Sequence, residues 1–144
     1  MTASSAGDFA VLSIDDCESQ PAYGAELVLL RHALGVGSFG MQVERLPAHY
    51  ETYAEHWERE SGQEEVYTVL EGSARLLVAG GEHSLRPGVF ARVGPELLRK
   101  IVTDDEPALL LCLGGRPGHP YDPPAWTDPR QRTLLEDVSE VRPD

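Results

Sequence analysis

Along the middle of this chain apolar and polar positions alternate, and glycine and proline interrupt the pattern at regular intervals. Over residues 38–46, Phe39, Met41 and Val43 fall on one side and Gln42 and Glu44 on the other, the period of a strand. Shorter strands are predicted at 65–70, 74–79, 82–85, 89–93, 98–102 and 108–113. They are separated by Glu71-Gly72-Ser73, Gly80-Gly81, Arg86-Pro87-Gly88 and Gly94-Pro95, which are turn sequences. An earlier apolar stretch, 26–34, built on Leu27-Val28-Leu29-Leu30, predicts one more strand, with Gly35-Val36-Gly37 as the turn after it. Residues 47–63, rich in charge, tyrosine and histidine, read as a loop. Between 64 and 113 the turns recur about every ten residues, the spacing of an all-β sandwich or small barrel. Leu134, Leu135, Val138 and Val141 have helical spacing and predict a short C-terminal helix.

The chain has 144 residues, enough for one domain with a real core. The expected division is an N-terminal extension over 1–25, a barrel over 26–113, and a Gly/Pro-rich tail over 114–144 whose Tyr121-Asp122-Pro123-Pro124-Ala125-Trp126 stretch lies extended over the barrel. A net charge of -12 repels phosphate backbones and anionic lipid, so neither nucleic acid nor a membrane is an expected partner. The first residues carry neither a basic segment nor an apolar one, and a cytoplasmic location is expected. Cys17 and Cys112 have no metal-type spacing; Cys112 sits in an apolar run and reads as buried and inert.

Two blocks carry a family signature. Glu65-Val66-Tyr67-Thr68-Val69-Leu70-Glu71-Gly72 has a glutamate, six residues, then glycine. Gly81-Glu82-His83-Ser84-Leu85-Arg86-Pro87-Gly88 has a glycine, five residues, then Pro-Gly. Together they resemble the paired motifs of the cupins, and the wider chain resembles small single-domain bacterial members. The resemblance implies an all-β double-stranded β-helix, a jelly-roll barrel with a small-molecule pocket inside. It supports fold far more than function.

In metal-binding cupins three histidines and one glutamate point into the barrel and hold Fe, Mn, Ni, Zn or Cu. This sequence departs from that set. Ser61 and Arg59 stand where the His-x-His pair normally does, although an extended loop could bring His56 and Glu58 there instead. Arg99 aligns with the late histidine, and a guanidinium is no ordinary ligand because it stays protonated. The resemblance therefore implies at best His56, Glu58 and Glu65 as ligands, beside a fixed charge whose repulsion costs on the order of several kcal/mol in a low-dielectric pocket. No cofactor is the expectation, with a divalent metal as the alternative. Arg99 instead fills the vacated position, pairing with Glu65 through a bidentate bond or holding an anionic group of a ligand.

If Glu65 points inward, so do Tyr67 and Val69, because side chains alternate. Gln42 and Met41 lie on opposite faces of their strand, and the sequence leaves open which face lines the pocket. Trp57, beside His56 and Glu58, belongs to the loop expected at the barrel mouth. His32, His49, His83 and His119 have no ligand spacing.

Three functions follow. The first is metal-independent acid/base chemistry of the isomerase or cyclase type on a small anionic or aromatic metabolite, with Glu65 or His56 moving a proton, Arg99 stabilising negative charge and Tyr67 as a second acid. The second is a metal-dependent cupin such as a dioxygenase. The third is a ligand-binding or sensor module without catalysis. A homodimer is expected, with 27–30 as the apolar strand offered to the partner.

Overall fold

Along Glu64–Gly72 Tyr67 and Val69 turn into the core, whereas on the other side Val66 is half-buried, Leu70 exposed and Thr68 buried with its hydroxyl donating to Val89 O. The same alternation operates through the rest of the computed structural model, which describes residues 4–5, 8–124 and 127. Its strands are β1 (Ser4–Ser5), β2 (Ala10–Val11), β3 (Ser19–Ala22), β4 (Ala25–Val28), β5 (Gly40–Leu46), β6 (Glu64–Gly72), β7 (Ala74–Val78), β8 (Gly81–Leu85), β9 (Phe90–Val93), β10 (Arg99–Val102) and β11 (Ala108–Gly115). A six-stranded antiparallel sheet, ordered β3-β4-β5-β11-β6-β9, faces a three-stranded one, ordered β10-β7-β8. The inward residues of both, among them Leu46, Tyr67, Val69, Leu76, Leu85, Val93, Ile101 and Leu110, make one core. This is the jelly-roll barrel expected from the motifs.

The predicted strands from 38 to 113 match the observed ones to within two residues at each end. The stretch 26–34 differs. It is strand β4 followed by a short helix, α1 (Leu30–Leu34), closed by Gly35 in the left-handed conformation at φ +78°. A short apolar run does not distinguish a strand from a buried helical turn, and the terminating glycine carried the signal. Leu27 and Leu29 pack in one cluster, Val28 and Leu30 in another with Val43 and Leu109. The segment expected to serve a partner is thus buried within its own chain. The predicted C-terminal helix lies outside the described residues.

Two features position the site. The first is the motif glycine, Gly72, at φ +78°, where a Cβ would meet the Pro107 carbonyl oxygen at 1.9 Å. Just before it β6 carries one extra residue: Leu109 pairs with Glu71 but Leu110 with Val69, leaving Leu70 over. That bulge bends β6 out of register without turning Glu65, Tyr67 and Val69 from the interior. The second is the loop over 47–63, which is fastened to β10 and its approaches. Thr103 Oγ1 donates to Pro47 O at 2.6 Å and accepts from Tyr50 N at 2.8 Å. His56 and Arg99 exchange backbone hydrogen bonds of 3.1 and 2.9 Å, and Glu58 N donates to Pro95 O at 2.9 Å.

Because only glycine fits both the backbone angle and the gap beneath Pro107, Gly72→Ala is expected to lower unfolding free energy by at least about 2 kcal/mol in urea titration, with the steepness of the transition unchanged.

Candidate functional site

Alternation along β10 turns Arg99 and Ile101 into the barrel, and along β6 it turns in Glu65 and Tyr67. The backbone bridge between Arg99 and His56 sets their side chains next to each other. His56 Nδ1 lies 2.8 Å from Ala54 O. A carbonyl only accepts, so Nδ1 carries a proton and Nε2 faces the interior. Nε2 stands 3.3 Å from Glu58 Oε2 and 3.7 Å from Glu65 Oε1. The loop thus brings His56 and Glu58 to the place the sequence reading gave them, and gathers Glu65, Arg99 and Tyr67 around them.

Arg99 is fully buried, at 0% exposure, and its contacts differ from the bidentate pair expected. The Nη atoms donate to the carbonyls of His56 (3.5 Å), Val93 (3.4 Å) and Gly94 (3.0 Å). Only Nε faces Glu65, at 3.8 Å from Oε1, too far for a hydrogen bond. The β9–β10 turn supplies acceptors closer to the guanidinium tip than the carboxylate is, and they take the fork. Arg99 Nε and Glu58 Oε2 are buried without a hydrogen-bond partner.

Glu65 accepts from Tyr67 Oη at 2.7 Å and lies 3.5 Å from Cys112 Sγ. Burial alone would raise its pKa, but the facing His56 imidazole, the Tyr67 hydroxyl and the charges of His56 and Arg99 outweigh that and hold it below its ordinary value. Glu58 goes the other way: burial and the neighbouring Glu65 push it up to about 7, although Ser61 Oγ donates to its Oε1 at 2.7 Å. Glu44, buried beneath them, is driven to about 7, chiefly by burial. For His56 burial opposes the charged form, yet Glu65, Ala54 O and Glu58 prevail and its pKa is raised. The two carboxyl groups beside His56 are thereby driven apart, the pattern that divides acid from base.

A narrow cleft of about 20 Å³, room for little more than a water molecule, reaches this group and is lined by Gln42, Glu58, Gln63, Glu65, Cys112 and Tyr121 among others. Two glycines keep it open. A Cβ on Gly114 would meet Gln63 Oε1 at 2.7 Å, and one on Gly40 the Tyr121 ring at 2.8 Å. Gly114 and Gly40 face each other across β11 and β5. Tyr121, in the tail, also borders the groove outside, with Arg116 and His119, and lies under the Arg31 guanidinium at 5.4 Å.

Gln42 lines the cleft, which settles which face of β5 looks inward. Met41, also considered for the pocket, packs outside with Val28, Val43 and Leu109, one residue out of phase. Trp57 lies under Arg59, 4.0 Å from the guanidinium to the ring centroid, and does not border the cleft. Tyr67 is wholly buried and acts on Glu65 rather than on the cleft. Cys112 is buried as expected, its pKa raised well above the usual thiol range, first by burial and then by the charges of Glu65 and Glu44. The sequence reading missed Gln63, Ser61, Tyr53 and Tyr121. Gln63 was legible, because alternation from Glu65 gives it. Tyr53, whose ring centroid is 5.9 Å from that of His56, comes from an irregular loop with no period to read.

Part of a divalent-ion donor set is present. One ligand atom each from His56, Glu58 and Glu65 falls within 4.8 Å of the others, close enough to share an ion. The fourth position of the cupin set, however, belongs to Arg99, and three backbone carbonyls hold that cation in place. The residues do not fit a complete metal centre, since an ion here would stand against a fixed positive charge.

No protein-family profile and no curated protein matches the sequence. Solved structures do. A cupin-superfamily sugar phosphate isomerase from Silicibacter pomeroyi superimposes with a TM-score of 0.61 at 26% identity, over 74% of this chain and 75% of that one. A cupin protein from Bacteroides fragilis gives 0.58 at 21%, over 85% and 96%. An oxalate decarboxylase from Bacillus subtilis with Mn(II) centres gives 0.56 at 18%, over 75% of this chain and 29% of that one. The fold is therefore that of a small cupin, an all-β jelly roll. Among the described residues no helix is long and apolar enough to cross a membrane.

Raised carboxyl groups bind more protons folded than unfolded between their ordinary value of 4.5 and about 7, so they favour the fold at the acid end of that window. The raised His56 acts in the same direction above 6.5, whereas Glu65, held low, costs stability only below 4.5. Melting temperature is expected to fall from pH 5.5 to pH 8, with a smaller fall in Glu44→Gln; calorimetry across that range checks it.

Proposed function

We propose that this protein binds a small hydroxy-carbonyl compound in the barrel and moves a proton on it, an isomerase-type reaction that needs no metal. Support comes first from one observation: two carboxyl groups on the wall of a single cleft, joined through a buried imidazole, have pKa values displaced in opposite directions. Glu65, ionised, takes a proton from a carbon next to the carbonyl. Glu58, protonated near neutral pH, gives one to the carbonyl oxygen, so the product of this half is an enol. Reversing the roles returns the proton to the neighbouring carbon, and the sum is an isomerisation with no redox partner. His56 couples the two carboxyls, while Arg99 and Tyr67 keep Glu65 ionised. Gln42, Gln63 and Tyr121 provide amide and phenol groups for ligand hydroxyls. The similarity to a sugar phosphate isomerase is consistent with such a ligand.

A second reading, a divalent ion held by His56, Glu58 and Glu65, rests on the unpartnered Glu58 Oε2 facing His56 Nε2. Metal analysis of protein made without a polyhistidine tag separates the two. The expected homodimer stays a proposal; Leu70 and Phe90, exposed on the neighbouring strands β6 and β9, mark the surface offered, and light scattering of Phe90→Glu tests it.

Small hydroxy-aldehydes, ketoses and their phosphates that raise the melting temperature are expected to take up deuterium next to the carbonyl in D2O, seen by proton NMR. Glu65→Gln should slow the exchange at least about 100-fold and Glu58→Gln about 10-fold or more. Ligands that bind without any exchange would leave a binding module in place of an enzyme. Gly114→Ala is expected to weaken ligand binding, because its Cβ takes the space beside Gln63 and Glu65 and only the flexible end of Gln63 has to move.

A further inference from the structure

Arg99 does more than occupy a lost ligand's place. Its Nε is 3.8 Å from Glu65 Oε1, and His56 Nε2 is 3.7 Å from the same oxygen. These are spacings at which two donors share an ion with Glu65. Counted in bonds from Cα, the Nε of arginine and the Nε2 of histidine are equally distant, so an imidazole at 99 would put its nitrogen near where Nε stands. The backbone needs no change for this, since the bridge to His56 uses main-chain atoms only.

The rest of the guanidinium sets a fixed positive charge against any ion at this place. The Nη atoms rest on the carbonyls of His56, Val93 and Gly94, so the side chain is held at its tip as well as its root. Residue 99 has no exposed surface into which the charge could swing. The positive end is thus permanent, and an entering cation would have to meet it in a dry interior.

We propose that Arg99 is the barrel's own cation: it closes a latent divalent-metal site made by His56, Glu58 and Glu65, and exchange for histidine at this one position opens it. The inference rests on the metal-free reading above and adds that a single residue decides it. The opened site would hold a divalent ion of the Zn2+ or Mn2+ kind with two imidazoles and two carboxylates.

The test compares the wild type, Arg99→His and Arg99→Gln, all made without a polyhistidine tag, by calorimetric titration with ZnCl2 and MnCl2 after chelator treatment. Arg99→His is expected to bind one ion per chain on the order of 100-fold more tightly than the wild type, and Arg99→Gln, which removes the charge but adds no imidazole, to fall between. A wild type that binds as tightly as Arg99→His overturns both this inference and the metal-free reading. A folded Arg99→His that binds no better than a non-binding wild type overturns the inference alone. Loss of the guanidinium leaves three carbonyls without their donor; if Arg99→His does not fold without the ion, Zn2+ added during refolding must restore circular dichroism, and failure to do so also overturns the inference.

Discussion

A positive charge without access to water has to be matched where it sits, and in this protein that charge is the Arg99 guanidinium. Its Nη atoms are met by backbone carbonyls and its Nε looks toward Glu65. Around it the other ionisable groups sort themselves. Glu65, with His56, Tyr67 and Arg99 on its side, stays charged; Glu58 and Glu44, buried with a charged carboxylate for a neighbour, are pushed toward neutrality. Removing one partner of such a set leaves the remainder uncompensated, which is far costlier than the set's net contribution to stability.

The fold supplies this arrangement through ordinary means. Alternation on β6 and β10 turns Glu65 and Arg99 inward, and the main-chain bridge at residue 99 carries His56 in from a loop that has no regular structure. Two glycines opposite each other on β11 and β5 leave the space through which a ligand reaches the carboxyl groups. The polar centre is continuous with the core, which Tyr67 and Cys112 join to Glu65 while Leu, Val and Ile side chains fill the rest.

Much of this was legible before the structure. Strand period and turn residues placed β5 to β11 almost residue by residue, because a half-buried strand writes its two faces into the sequence. The spacing from Glu65 to Gly72 was recognised as a motif, and the structure gives its cause in a bulge at Leu70 and a carbonyl that leaves no room for a Cβ. The convergence of His56, Glu58, Glu65 and Arg99 was also expected. What could not be read depends on contacts between distant segments. The guanidinium turned to the carbonyls at 93 and 94 rather than pairing squarely with Glu65, Met41 faced outward, and Trp57 went under Arg59. The run 27–30 misled for a different reason: apolar residues in sequence say that a segment is buried, not in which conformation.

The claim on which the account rests is that protons and an arginine, not a metal, balance the two carboxylates beside His56. Carbon-13 NMR of the Glu58 and Glu65 side-chain carboxyls, followed through a pH titration of the wild type, tests it most directly. The account predicts two separate transitions, Glu65 below its ordinary value of 4.5 and Glu58 near 7. Both carboxyls remaining ionised together down to pH 4, as a shared cation would hold them, would contradict it.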